Sequence, residues 1–173
     1  TLNELSLDDN KGLDDNKGLD DNKGLDDDEE TVTIKTDNHE FVIKKNYVGL
    51  SGVFDVALES DQTVRELEVP NTVKPDTVEI IVKYLKLCKG VSTNIAEQPL
   101  KSKNLVDCGI QQDRVDFINQ FSIEKLIDII RAANYLDIKC LLKLGCALIA
   151  SKIKGKPLDK VKEILSVEKK GEE

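Results

Sequence analysis

The sequence predicts a mixed α/β fold of the α+β kind: a small sheet flanked by helices, followed by further helices towards the carboxy terminus. Two patterns lead to this. Three short segments between Thr31 and Val69 alternate apolar and polar residues with the period of a strand, whereas from Pro75 onward apolar residues recur at three and four positions, the period of a helix. At 173 residues the chain is also long enough to bury roughly two-thirds of the surface its unfolded form would expose.

The elements follow in order. Residues 31–36, TVTIKT, alternate as a strand, Asp37 and Asn38 supply turn chemistry, and residues 40–44, EFVIK, return as the second strand of a hairpin. His39, the one histidine, sits by that turn, where a surface residue is expected rather than a ligand or a base. Residues 47–59 suit one or two short helices, weakened by Gly49 and Gly52. Residues 63–69, TVRELEV, alternate again as a third strand, ended by Pro70. Pro75 and Asp76 then open a cleaner helix, in which Val78, Ile81, Val82 and Leu85 form the stripe that packs on the strands, and Lys86, Lys89 and Gly90 close it. Residues 91–114 show no period and contain Pro99, which predicts an irregular linker between two subdomains.

Beyond the linker the chain reads as helical. Ser122 can cap a helix whose apolar positions are Ile123, Leu126, Ile127, Ile130, Ala133 and Leu136. Asp137 marks a break, and a further helix runs from about Ile138 to Lys154. Gly155, Lys156 and Pro157 stop it and restart the chain into a last amphipathic turn or two carrying Leu158, Val161, Ile164 and Leu165.

The helix from Ile138 is apolar over too wide an arc. At about 100° per residue, Ile138, Leu142, Cys146, Ile149 and Ile153 fall on one side and Leu141, Leu144 and Leu148 on an adjoining one, together spanning roughly 200°. A surface helix needs a stripe of somewhat over ~100°. Either both flanks are buried within the chain or one is kept for a partner. The final helix is too short to be stable alone in water. Together these predict a carboxy-terminal helical platform that is incomplete without another protein.

Composition narrows the function classes. There are 33 acids against 25 bases, for a net charge of −8, which disfavours binding a phosphate backbone. The acidity belongs to one segment: residues 1–30 hold twelve acids and three lysines, while the remainder has 21 acids and 22 bases. That segment repeats LDDNKG at 7–12, 13–18 and 19–24, and with one apolar residue in six it is expected to be a solvated, disordered arm. An EF-hand loop is ruled out, because counting from Asp8 puts Gly12 fifth and Leu13 sixth where the loop needs glycine. Cys88, Cys108, Cys140 and Cys146 include no CxxC pair and have no histidine at ligand spacing, so buried or half-buried free thiols are expected, and neither a metal site nor a cofactor. No apolar run approaches the ~20 residues of a membrane span and no signal-peptide pattern opens the chain, so it is expected to be soluble and intracellular.

One run is more specific than any of these patterns. AANYLDIK at 132–139, continued by Leu141, Leu142 and Cys146 and by IKGK at 153–156, closely resembles the Skp adaptor family, the linker subunit of Skp–cullin–F-box (SCF) ubiquitin ligases. VPN at 69–71, followed by the helix with Val82 and Cys88, is similar to the family's strand end and next helix. The resemblance covers about residues 31–167. Between the repeat arm at 1–30 and a charged tail at 168–173, it implies a BTB/POZ domain over 31–136 and F-box-binding helices over 137–167. It further implies a noncatalytic adaptor, cytoplasmic and nuclear, that bridges a cullin amino-terminal domain to F-box proteins in ubiquitin-dependent degradation and self-associates when no partner covers its groove.

The resemblance also assigns residues. Asn134 and Tyr135 match positions of the cullin-facing surface; judged alone, Asn134 would satisfy backbone groups at a helix end and Tyr135 would pack with its hydroxyl outward. Ile149, Ile153, Val161, Leu165 and Val167 match apolar positions of the F-box groove; judged alone, they would form an internal helix–helix core. The sequence departs from the family in four places. Val167 is followed by EKKGEE instead of an acidic segment with a Trp that completes the clasp, RVD at 114–116 stands where the family has a Trp-Asp stretch before the AANYLDIK helix, PLD follows IKGK where Thr/Ser-Pro-Glu is usual, and the acidic repeat precedes the first strand. These mark a divergent member with an unusual choice of F-box. The alternatives are an elongin-C-like adaptor for another receptor box, which the helices beyond Asp137 disfavour, and, in a different class, an acidic-repeat cation-binding protein. An enzyme is disfavoured because no base lies at motif spacing from any cysteine.

Overall fold

In a computed structural model the described residues are 30–92 and 99–166. The acidic repeat, residues 93–98 and residues 167–173, Val167 among them, lie outside the described residues. The element order is β1 (Thr31–Lys35), β2 (Glu40–Lys44), α1 (Lys45–Val48), α2 (Gly52–Ser60), β3 (Glu66–Glu68), α3 (Pro75–Cys88), α4 (Gln112–Asn119), α5 (Ile123–Tyr135), α6 (Lys139–Ile153) and α7 (Leu158–Leu165).

The strands form one sheet in the order β2-β1-β3. β1 and β2 are the antiparallel hairpin, with Val32 opposite Ile43 and Ile34 opposite Phe41, while β3 pairs with β1 in parallel, Ile34 opposite Leu67. A parallel neighbour needs a crossover, and α1 and α2 bring the chain back to make it. Alternation puts Val32, Ile34, Ile43 and Leu67 into the core and leaves Val42 on the outer face. The third strand is shorter than the alternation over residues 63–69 suggests, because the Asp61 carboxylate accepts from the Thr63 amide at 2.8 Å and its hydroxyl at 2.6 Å, a local turn that competes with pairing.

α3 is the central helix, burying Val78, Ile81, Val82, Tyr84, Leu85 and Cys88. Lys89 and Gly90 end it in the left-handed region at φ 50° and 77°. α5 packs on α3, and α6 packs closely on α5, where a Cβ at Gly145 would lie 2.6 Å from Ile130 Cγ1. The start of α2 is stapled to the α5–α6 corner: the Ser51 hydroxyl donates to the Leu136 carbonyl at 2.5 Å, and the Gly52 amide to that of Asp137 at 3.1 Å. A Cβ at Gly52 would fall 2.1 Å from Asp137 Oδ2, so a larger residue there would have to displace the Asp137 side chain.

Three expectations need correction. The stretch expected to be irregular over residues 91–114 ends earlier: residues 112–114 form the first turn of α4, and Leu105, Ile110 and Arg114 are buried. Arg114 Nη1 is held by the Leu87 carbonyl at 3.2 Å and the Asp113 carboxylate at 2.8 Å, which lets a charged side chain sit inside. The buried positions of α5 are Leu126, Ile129, Ala132 and Ala133, with Ile127 and Ile130 half-buried, because this helix is covered on two sides, by α3 and α6. Among the thiols, Cys88 and Cys140 are buried and Cys108 is half-buried, but Cys146 is exposed.

Candidate functional site

Two surfaces carry the residues singled out by sequence. The first is the carboxy-terminal helix pair. One flank of α6, with Leu141, Leu144, Ala147 and Leu148, is buried in the body of the protein. On its other flank Leu142, Ile149 and Ile153 are half-buried and Cys146 is exposed. The arc is therefore covered fully on one side and only in part on the other, where Ile138 is buried, Leu142 and Ile149 pack against the core edge and Cys146 is exposed. Gly155, at φ 72°, turns the chain, the Lys156 amide donates to the Ile153 carbonyl at 3.0 Å, and Pro157 leads into α7.

α7 is strongly amphipathic yet buries none of its residues. Leu158 is 66% and Leu165 38% exposed, while Val161 and Ile164 are half-buried where α7 meets α6. An apolar face of this kind on an eight-residue helix has too little intrachain contact to hold it firmly. Of the expected groove residues, Ile149, Ile153, Val161 and Leu165 thus lie on α6 and α7 with at least part of their surface uncovered, and Val167 lies outside the described residues. Leu158, the most exposed large apolar residue of the pair, was not among the expected contacts, although its spacing of three from Val161 and seven from Leu165 places it on the same helix face.

The second surface surrounds the end of α5. Tyr135 is 53% exposed and Asn134 is exposed beside it. The backbone carbonyl of Asn134 accepts from the Asp137 amide at 3.2 Å, but its side chain makes no hydrogen bond among the described residues, so it is available outward. Tyr135 stands between two depressions. One, of about 360 Å³, is lined by Thr72, Lys74, Asp128 and Arg131; the other, of about 540 Å³, by Lys35, Asp37, Glu68, Pro70 and Asn71. The fold therefore brings the VPN strand end and the AANYLDIK helix, over 60 residues apart in sequence, to one place.

This second surface is polar and of mixed charge. Lys74 pairs with Asp128 at 3.0 Å, and Lys35 with Glu66 at 2.7 Å and Glu40 at 3.4 Å. The hydrogen bond from Lys125 holds the Asp76 carboxyl below the usual carboxylate range, and the bond to Glu66 pushes the Lys35 ammonium up. Lys74, Asp128 and Arg131 were missed from the sequence. The helical spacing of Asp128, Arg131 and Tyr135 carried the signal for two of them.

No family model matches the chain, but individual proteins do. It is 35% identical over 131 residues to an S-phase kinase-associated protein 1 homolog of Tetrahymena thermophila, a match that covers 74% of this chain and 73% of that protein. The chain belongs to the Skp1 family. Its identity to the suppressor of kinetochore protein 1 of Schizosaccharomyces pombe is 27% over 139 residues, covering 78% and 83% of the two chains. A protein of Arthroderma otae named E3 ubiquitin ligase complex SCF subunit sconC is 29% identical over 102 residues, 59% of this chain and 60% of that one. At these identities the chain is a divergent Skp1-family member, and its three-stranded sheet with surrounding helices is a BTB-like arrangement.

Proposed function

We propose that this Skp1-family chain is a noncatalytic adaptor of an SCF-type E3 ubiquitin ligase, acting in the cytoplasm and nucleus. The apolar face of α7, with Leu158 and Leu165 exposed, continued by the half-buried flank of α6, carries the reading: it is a surface suited to receive helices of another protein, here an F-box domain. Tyr135, Asn134 and the adjoining strand end form the polar surface offered to a cullin amino-terminal domain. The adaptor does no chemistry itself; it holds a substrate receptor at one end and the ligase scaffold at the other. The names of the relatives support the assembly, and the separation of the two surfaces on different elements supports simultaneous binding.

Pull-down of the full chain with an F-box domain and, separately, with a cullin amino-terminal fragment tests this. Ile149→Asp with Ile153→Asp should abolish capture of the F-box and spare the cullin, and Asn134→Lys with Tyr135→Lys should do the reverse. Failure of the unaltered chain to bind either at micromolar concentration, or equal loss of both partners in each variant, contradicts the proposal.

A further inference from the structure

The charge of this molecule is divided between its ends. Residues 1–30 carry twelve acids and three lysines, whereas residues 139–173 carry nine lysines against five acids, with seven of the lysines and only Asp159 and Glu163 within residues 139–166. The intervening part, residues 31–138, has 13 bases and 16 acids, so α6 and α7 are the basic pole of the molecule. Glu163 is already paired with Lys160 at 2.8 Å, and among the described residues Lys139, Lys143, Lys152, Lys156 and Lys162 have no acidic partner. At about 100° per residue, Lys139 and Lys143 share the outer face of α6 with Cys146, beside the half-buried Ile149 and Ile153.

We propose that the LDDNKG-repeat arm docks in cis on the lysine-rich outer face of α6 and α7. Each repeat presents one leucine followed by two aspartates, and the face presents apolar residues bordered by lysines, so the two match in both kinds of contact. The origin of the arm is fixed, because Glu30 is held by Lys45 at 2.8 Å and by Arg65 at 3.4 Å. From there its reach is ample. The 22 residues between Leu7 and Glu30 span up to roughly 75 Å when extended. A globular body of this size has a radius of gyration of about 14 Å. Exposed ion pairs are individually weak, so the cover is reversible and fades with salt. Its regulatory consequence rests on the adaptor reading: the arm competes with the F-box for α6 and α7 and favours receptors that bind tightly enough to displace it.

The test uses no partner protein, so its outcome is independent of that reading. Cys146 is the exposed thiol on this face and half-buried Cys108 serves as an internal control. Alkylation of the full chain by iodoacetamide is followed at each cysteine by mass spectrometry. It is compared with a full-length variant in which Asp8, Asp9, Asp14, Asp15, Asp20 and Asp21 are all replaced by Asn. At low salt Cys146 should react several-fold more slowly in the unaltered chain than in the variant, the difference should vanish by about 0.5 M salt, and Cys108 should not distinguish the two. Carbodiimide coupling should join arm carboxylates to lysines of residues 139–162 in preference to Lys83, Lys86 and Lys89 around the end of α3. Equal Cys146 rates at low salt, or cross-links spread evenly over both lysine groups, would overturn the proposal. A Cys146 rate that depends on protein concentration would place the arm on a second copy and overturn docking in cis.

Discussion

α5 and α7 are both amphipathic helices with a clear apolar stripe, and they end in opposite situations. α5 seats Leu126, Ile129, Ala132 and Ala133 between α3 and α6, whereas α7 fully buries no residue and only half-buries Val161 and Ile164 against α6. Both stripes obey the same periodicity, so periodicity alone does not say whether a face meets its own chain or another. The difference lies in what each helix is followed by and packed against. α5 is capped by the Ser122 hydroxyl, which accepts from the Lys125 amide at 3.3 Å, and is stapled to α2 through Leu136. α7 follows a glycine turn and is tethered at one end to α6.

Substitutions should divide along this line. Leu126→Ala in α5 empties a fully buried position and should lower unfolding stability by about 2–5 kcal/mol in urea titration. Ser122→Ala removes the α5 cap and should cost about 0.5–2 kcal/mol by the same measurement. Lys125→Gln acts through Asp76, whose folded carboxyl is held below its ordinary range by that lysine. A depressed carboxylate adds stability above its unfolded pKa and loses it as the pH falls through the folded value. The variant should therefore be slightly less stable than the unaltered chain at neutral pH, and the two should converge in acid, as thermal unfolding at several pH values will show. Leu165→Ser in α7 should change stability by less than about 0.5 kcal/mol while weakening F-box capture; a cost as large as that of Leu126→Ala would erase the distinction between the helices.

The sequence made much of this legible, and for identifiable reasons. The hairpin, the helix from Pro75 to Cys88 and the Ser122 cap rest on local chemistry, and local chemistry decided them. α4 was hidden because its apolar residues, Val115, Phe117 and Ile118, are few and bunched, and because buried Arg114 reads as a surface residue until its partners are seen. The excess apolar width of α6 left two readings, both flanks buried or one kept for a partner, and the structure buries Ile138, half-buries Leu142, Ile149 and Ile153 and exposes Cys146. The cullin-facing candidates Asn134 and Tyr135 came from the AANYLDIK resemblance alone. Their neighbours Lys74 and Thr72 reach the same depression only through the tertiary fold, which no local pattern encodes.

On the adaptor reading α7 is a partner-facing helix rather than part of the core. Amide hydrogen exchange of the full chain, alone and with an F-box domain, tests it most directly. α7 should exchange far faster than α5 in the free chain and gain protection, together with the carboxy-terminal half of α6, when the F-box is added, with α5 unchanged. Protection of α7 equal to that of α5 in the free chain, or no change on adding the F-box, would contradict it.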